Sequence, residues 1–185
     1  MEAWLLTKYR GRNLDAIVAM GVHSIAFSVR LRSEMGRNIP IIFTGAPKAV
    51  AARLQIPRTT GVTLEIDVQG TLDAAIKLLP DTQRIVLVSS ELSYRGVSEQ
   101  VHAEVEAFCR TNYLDYIPLI QPPLATTKQQ LAALPPRSLV YYFAVNVDSA
   151  GQILNPRDVL RELSKVSKAP IFSSLDTYFG YGTVG

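Results

Sequence analysis

The side chains able to do chemistry in this 185-residue chain fall just after short apolar runs. The run 173–182, Ser-Ser-Leu-Asp-Thr-Tyr-Phe-Gly-Tyr-Gly, offers hydroxyls, one carboxylate, aromatic faces and glycines that let a backbone come close to a small molecule. Ser89 and Ser90 follow the apolar run 84–88, and Asn146 follows 138–145. Thr44 and Gly45 close the run that opens at Pro40, and Gly21 and His23 follow residues 14–20. These groups suit hydrogen bonding rather than bond breaking. Asp176 can accept from a hydroxyl or an amine, Tyr178 can cover an apolar face, and the glycines can present backbone N–H groups.

The usual reaction centres are missing from the sequence. No G-x-G-x-x-G follows the first run, where Gly21-Val-His-Ser has a single glycine, and there is no G-x-x-x-x-G-K-[ST] and no G-x-S-x-G. No nucleotide or other cofactor is expected. The two histidines, His23 and His102, are not spaced as a metal pair, and no metal-binding residue is assigned. His102 is expected on the exposed side of an amphipathic helix, without a function. Asp15 heads a strand, the wrong end for an acceptor carboxylate, and reads as a turn residue. Residues 89–95 read equally as a ligand-contacting loop and as a strand-to-helix turn with Ser93 near the cap. Tyr178, Phe179 and Tyr181 either stack on a ligand or close the core under their loop. Cys109 is the only cysteine, so no intrachain disulfide forms, and its apolar surroundings make it a buried small hydrophobe.

The elements that must position these groups alternate between strand and helix. Residues 138–145 form a continuous apolar run, a buried strand. Asn155 and Pro156 then open a helix whose Val159, Leu160, Leu163 and Val166 share one stripe, and Pro170 stops it before a strand at Ile171 and Phe172. Such a unit is a parallel crossover. Upstream, strands are expected at 14–20, 40–44, 84–88 and 116–120, the last at an edge or bulge because Pro118 lacks a donor. Helices are expected at 25–35, ended by Gly36, at 46–54, from Asp67 to Pro80 with Val68, Leu72, Ile76 and Leu79 inward, at 97–108, and at 127–134. Residues 56–61 read as a turn-rich connector between a first part, 1–60, and a second, 61–185.

Six strands alternating with helices mark an α/β fold with parallel sheets. With 48% hydrophobic residues the chain can bury a substantial core. Its net charge of +3 is scattered, with no basic stripe to track a phosphate backbone, so nucleic acid is not an expected partner. No apolar run reaches membrane-spanning length and the first residues do not read as a signal peptide, which taken alone fits a cytoplasmic or a clipped chain.

The run 169–185, Ala-Pro-Ile-Phe-Ser-Ser-Leu-Asp-Thr-Tyr-Phe-Gly-Tyr-Gly-Thr-Val-Gly, resembles a segment of ABC-transporter substrate-binding-like proteins: a proline-led strand, a polar turn with Asp, and a glycine-flanked helix start. It is similar to the version found as the extracytoplasmic sensor region of membrane histidine kinases. Residues 14–21, 39–45 and 60–62 resemble that family's successive blocks in the same order, so the resemblance covers nearly the whole chain. The family implies two Rossmann-like lobes, a periplasmic-binding-protein-like fold hinged around a cleft that closes on a solute without catalysis. It implies an incomplete version here: a partial N-terminal lobe over 1–60 and a C-terminal lobe over 61–185 lacking its last elements. It also implies a periplasmic or extracytoplasmic location in the parent protein, with a membrane-embedded permease or a kinase module as partner and no membrane insertion by these residues. The expected ligand-binding set is Gly21, His23, Thr44, Gly45, Ser89, Ser90, Asn146, Asp176 and Tyr178. A single-sheet α/β enzyme or regulatory domain acting on a small metabolite is the alternative, and a purely structural interaction module is a third reading.

Overall fold

The computed structural model describes residues 2–9, 11–35, 38–52, 56–90 and 97–184. The expectations for Gly36, Leu54, Ser93 and the rest of 91–95 lie outside the described residues. The chain divides into two compact units, Met1–Glu65 and Ile66–Gly185.

The first unit contains α1 (Glu2–Tyr9), β1 (Ile17–Met20), α2 (Val22–Glu34), β2 (Ile41–Pro47), α3 (Lys48–Ala51) and β3 (Thr59–Leu64). Its strands pair in parallel in the order β1-β2-β3. Alternation sends Ala19, Ile41 and Phe43 into a small core with Ile25 of α2. On the other face Val18, Met20, Ile42 and Val62 are exposed. Residues 25–31 alternate like a strand, yet they form a helix that buries Ile25, Ser28 and Leu31 at helical spacing.

Two elements of this unit escape the sequence reading. The segment Glu2–Tyr9 is helical, and no capping residue type precedes it in the sequence to mark its start. Thr59, Thr60 and Gly61 belong to β3 instead of to a connector, and the unit ends at Glu65 because that strand pairs with β2. Gly61 reads as punctuation, but its role is close approach. A Cβ there would overlap the carbonyl oxygen and ring of Phe43 on the neighbouring strand.

The second unit contains α4 (Val68–Leu78), β4 (Arg84–Ser89), α5 (Val97–Thr111), β5 (Asp115–Ile120), α6 (Leu124–Ala132), β6 (Ser138–Tyr142), α7 (Pro156–Ser164) and β7 (Ile171–Phe172), followed by a single 3-10 turn, Asp176–Tyr178. The strands form a second parallel sheet in the order β5-β4-β6-β7. A single sheet holding every strand is thereby ruled out. Pro118 sits on β5, the edge strand, where a missing donor breaks no central ladder.

This sheet is covered on both faces. Ile85, Leu87, Leu139 and Tyr141 point to α4 and α5, packing on Leu72, Val101, Val105 and Phe108. Their neighbours Val86, Val88, Val140 and Tyr142 point the other way, onto Leu131 of α6 and Val159, Leu160 and Leu163 of α7. Asp67 caps α4 by accepting from Gly70 N at 2.8 Å, and Asn155 caps α7 by accepting from Arg157 N at 3.1 Å. The helix expected from Thr127 starts earlier, at Leu124. Thr127 is buried inside it and its hydroxyl donates back to the Pro123 carbonyl, the backbonding open to a mid-helix threonine.

Two substitutions test this packing. Leu160→Ala should cost about 2–5 kcal/mol as a cavity in a fully buried site. Gly61→Ala should cost roughly 1–3 kcal/mol by overpacking against β2. Equilibrium urea denaturation measures both, and an unchanged midpoint for Gly61→Ala would mean that β3 does not lie against Phe43.

Candidate functional site

In the first unit the backbone leaves β1 and β2 through two glycines in the left-handed region, Gly21 at φ 78° and Gly45 at φ 73°. Gly21 N donates to Thr44 O at 2.8 Å, and the pairing shifts register between Thr44 and Ala46. Gly21, Thr44 and Gly45 therefore meet at the carboxyl end of this sheet. His23 lies exposed in the first turn of α2, where Ser24 donates its hydroxyl proton to the Met20 or Gly21 carbonyl, at 2.6 and 2.7 Å. This rim is built largely from backbone.

The second unit has a topological switch. From β4 the chain steps outward through α5 to β5, then returns by α6 to β6 on the other side of β4 and continues through α7 to β7. Because α5 and α7 cover opposite faces, the loops leaving β4 and β6 diverge at their carboxyl ends, the address at which open parallel sheets bind ligands. Ser89, Ser90 and Asn146 stand there. Their hydrogen bonds are largely internal: Ser90 N donates to Ala144 O at 2.9 Å, Gln121 N to Ser89 O at 2.8 Å, and Leu154 N to Asn146 O at 2.8 Å. Asp148, buried, accepts from Ala150 N and Gln152 N at 2.9 Å each and holds the hairpin beyond Asn146.

His102 is not on a solvent face. It is half-buried, and its Nε2 lies 2.5 Å from the Oγ of Ser89, which has no exposed surface. The pair has the spacing of a nucleophile and a base, but a substrate cannot reach an oxygen with no surface. Ser89 thus gives up its hydroxyl to hold α5 on β4, and its expected ligand contact gives way to that role. The periodicity alone had placed His102 outward; only the packing of α5 turns it in.

The turn after β7 separates its three aromatic rings. Tyr178 is buried against Tyr142, edge to face with centroids 5.3 Å apart, so its ring closes the core and is not available to a solute. Tyr181 lies under Arg161 and Arg157 of α7, at 4.9 and 5.6 Å. Phe179 is 61% exposed. Ser174 is the fastening point: the Tyr141 hydroxyl lies 2.6 Å from its Oγ, Thr71 Oγ1 lies 2.8 Å away, and the Ser174 hydroxyl donates to Asp67 O at 2.9 Å. Burial pushes the Tyr141 phenol up to about 12, more than its bond to Ser174 lowers it, so it stays protonated; with the Ser174 proton given to Asp67 O, Tyr141 is the donor. This clip joins β6, the last turn and the start of α4.

Beside the clip is a cavity of about 380 Å3, with Asp67, Thr71, Ser174 and Asp176 at its polar end and Phe172 and Phe179 on its apolar side. Asp67, expected as a helix cap, and Thr71, which the sequence does not single out, belong to its wall. The signal for Asp67 is the capping position itself, at the end of α4 next to Ser174, whose hydroxyl donates to Asp67 O. Cys109 is buried, and desolvation followed by the nearby Glu106 pushes its thiol up to about 11, an unreactive state. Among the described residues no group of three His, Cys, Asp or Glu could hold a metal ion, and no helix is long and apolar enough to cross a membrane.

No protein-family model matches the chain. No curated protein matches it either. Two solved structures are similar. One is the ligand-free, open form of a substrate-binding protein with adhesive properties from Clostridium difficile, at 15% identity and a TM-score of 0.61, over 93% of this chain and 57% of that one. The other is a conserved domain protein from Vibrio cholerae O1 biovar El Tor, at 17% identity and a TM-score of 0.60, over 99% of this chain and 62% of that one. This chain thus spans less than two thirds of the length of either. The likeness shows the fold, parallel α/β with flanking helices of the kind found in a substrate-binding protein.

Removal of the clip tests its geometry. Ser174→Ala strands the buried Tyr141 hydroxyl and should cost about 1–3 kcal/mol, a loss of about 2–4 °C in Tm per kcal/mol. Tyr141→Phe in the same background should restore part of that loss, because both partners are then apolar. A double variant as unstable as the sum of the singles would contradict the shared bond.

Proposed function

We propose that this chain is a non-catalytic solute-binding domain. The observation that carries the reading is a cavity of small-molecule size beside the Asp176 turn, at the carboxyl end of a doubly covered parallel sheet whose other strand ends carry Ser90 and Asn146. The fold of a protein described as substrate-binding supports it. Burial of Ser89 removes its pair with His102 from reaction, which favours binding over turnover.

In this reading the first unit, residues 1–65, belongs to the N-terminal lobe of a periplasmic-binding-protein-like molecule and the second, residues 66–185, to its C-terminal lobe. Binding acts by cleft closure: the closed form gains contacts to the solute that the open form lacks, and that differential affinity is the signal. The candidate contacts are Gly21, His23, Thr44 and Gly45 in the first unit and Ser90, Asn146 and Asp176 in the second, each set at the carboxyl end of its own sheet. The parent protein works outside the cytoplasm, either as the sensory input of a signalling protein such as a membrane histidine kinase or as the receptor of an ABC transporter permease. The resemblance of residues 169–185 to the sensor version favours the first.

Thermal unfolding in the presence of pooled small metabolites tests the reading. A solute at about 100 times its Kd adds about 2.7 kcal/mol, worth about 5–10 °C in Tm for a chain of this size. Asp176→Ala should abolish that shift while leaving the Tm without solute nearly unchanged. Consumption of the stabilising compound would overturn the non-catalytic reading, and a full shift in Asp176→Ala would remove Asp176 from the site.

A further inference from the structure

We infer that the cavity between α4 and the turn after β7 takes a small organic cation, a primary amine with an apolar body. The inference rests on the solute-binding reading above and names the ligand class of the cavity beside the Asp176 turn. At about 380 Å3 the cavity lies within the range of roughly 300–1,000 Å3 of small-molecule sites. Its charge is one-sided: Asp67 and Asp176 line it, and no Lys, Arg or His does so among the described residues. An anion entering there meets two carboxylates and no cation, whereas an ammonium makes charge-assisted hydrogen bonds to either.

The wall is shaped to leave the carboxylates accessible. Gly70, Ala74 and Leu78 fall four residues apart on one side of α4, so the helix presents almost no side chain near the Asp67 end and a large apolar one at the other. A Cβ at Gly70 would overlap the Asp67 carboxylate, so glycine is what allows that group to sit over the first turn. One Asp67 oxygen accepts from Gly70 N, and the Asp176 carboxylate makes no hydrogen bond or ion pair with another described residue. Phe172 is the buried apolar floor, while Phe179 and Leu78 stay 61% and 65% exposed at the lip, large apolar surfaces that a ligand body would cover. Two carboxylates facing an apolar wall do not supply the six or more oxygens that a calcium ion takes, which leaves an organic cation as the fitting charge.

Isothermal titration of the whole chain with three probes of one shape tests this: phenethylamine, the neutral 2-phenylethanol and the anionic 3-phenylpropanoate. The expected result is saturable one-to-one binding of phenethylamine, at least about tenfold weaker binding of the alcohol, and none of the anion. Asp176→Asn should weaken the amine about tenfold and leave the alcohol unchanged, and Ala74→Phe should abolish amine binding by filling the cavity. Ala74 is exposed on the helix, so that variant should unfold at the wild-type urea midpoint. Equal affinity for amine and alcohol, no saturable amine binding at millimolar concentration, or amine binding that survives both substitutions would each overturn the inference. If pooled metabolites stabilise the protein while phenethylamine neither binds nor competes, the ligand class falls and the solute-binding reading stands. If neither pool nor amine binds, both fall.

Discussion

β6 is buried along its whole length, from Ser138 to Tyr142, between helices on both faces of the sheet, and that burial dictates where polar groups can go. A strand in this setting cannot carry an unsatisfied hydroxyl, yet β6 carries two tyrosines. Each sends its hydroxyl to the carboxyl end of the sheet: Tyr141 to Ser174, and Tyr142 to the Pro156 carbonyl at 2.7 Å. Burial drives both phenols well above their ordinary range, so each keeps the proton that it donates. The two bonds run to opposite faces. One fixes the turn after β7 and the start of α4, and the other fixes the start of α7.

The same economy governs the strand ends themselves. Backbone groups at the switch between β4 and β6 bond to one another, and Ser89 and His102 satisfy each other. To one side of that seam Asp67, Asp176 and Phe179 surround open space. In the first unit the contribution is different in kind. Gly21 and Gly45 hold backbone conformations that other residues resist, so that rim presents peptide groups more than side chains. Under the proposed solute-binding reading, a rigid floor with a few projecting groups limits the conformational entropy lost when a small molecule binds.

Local patterns in the amino-acid sequence were enough for the alternation of elements, the caps Asp67 and Asn155, the inward stripes of α4, α5 and α7, and the edge position of Pro118, since each follows from a period or from a missing donor within a few residues. They were also enough to place Asp176 just beyond a strand, since a proline-led apolar pair followed by Ser-Ser-Leu-Asp reads as a strand and its turn. Gly61 was misread because a glycine demanded by a neighbouring strand looks the same in sequence as one demanded by a turn. His102, Tyr178 and Phe179 could be sorted only by the fold. Whether a helix face meets a sheet or solvent, and which of three aromatic rings enters the core, depends on residues such as Ser89 and Tyr142 that lie 13 and 36 positions away in the chain and come within reach only when the sheet is assembled.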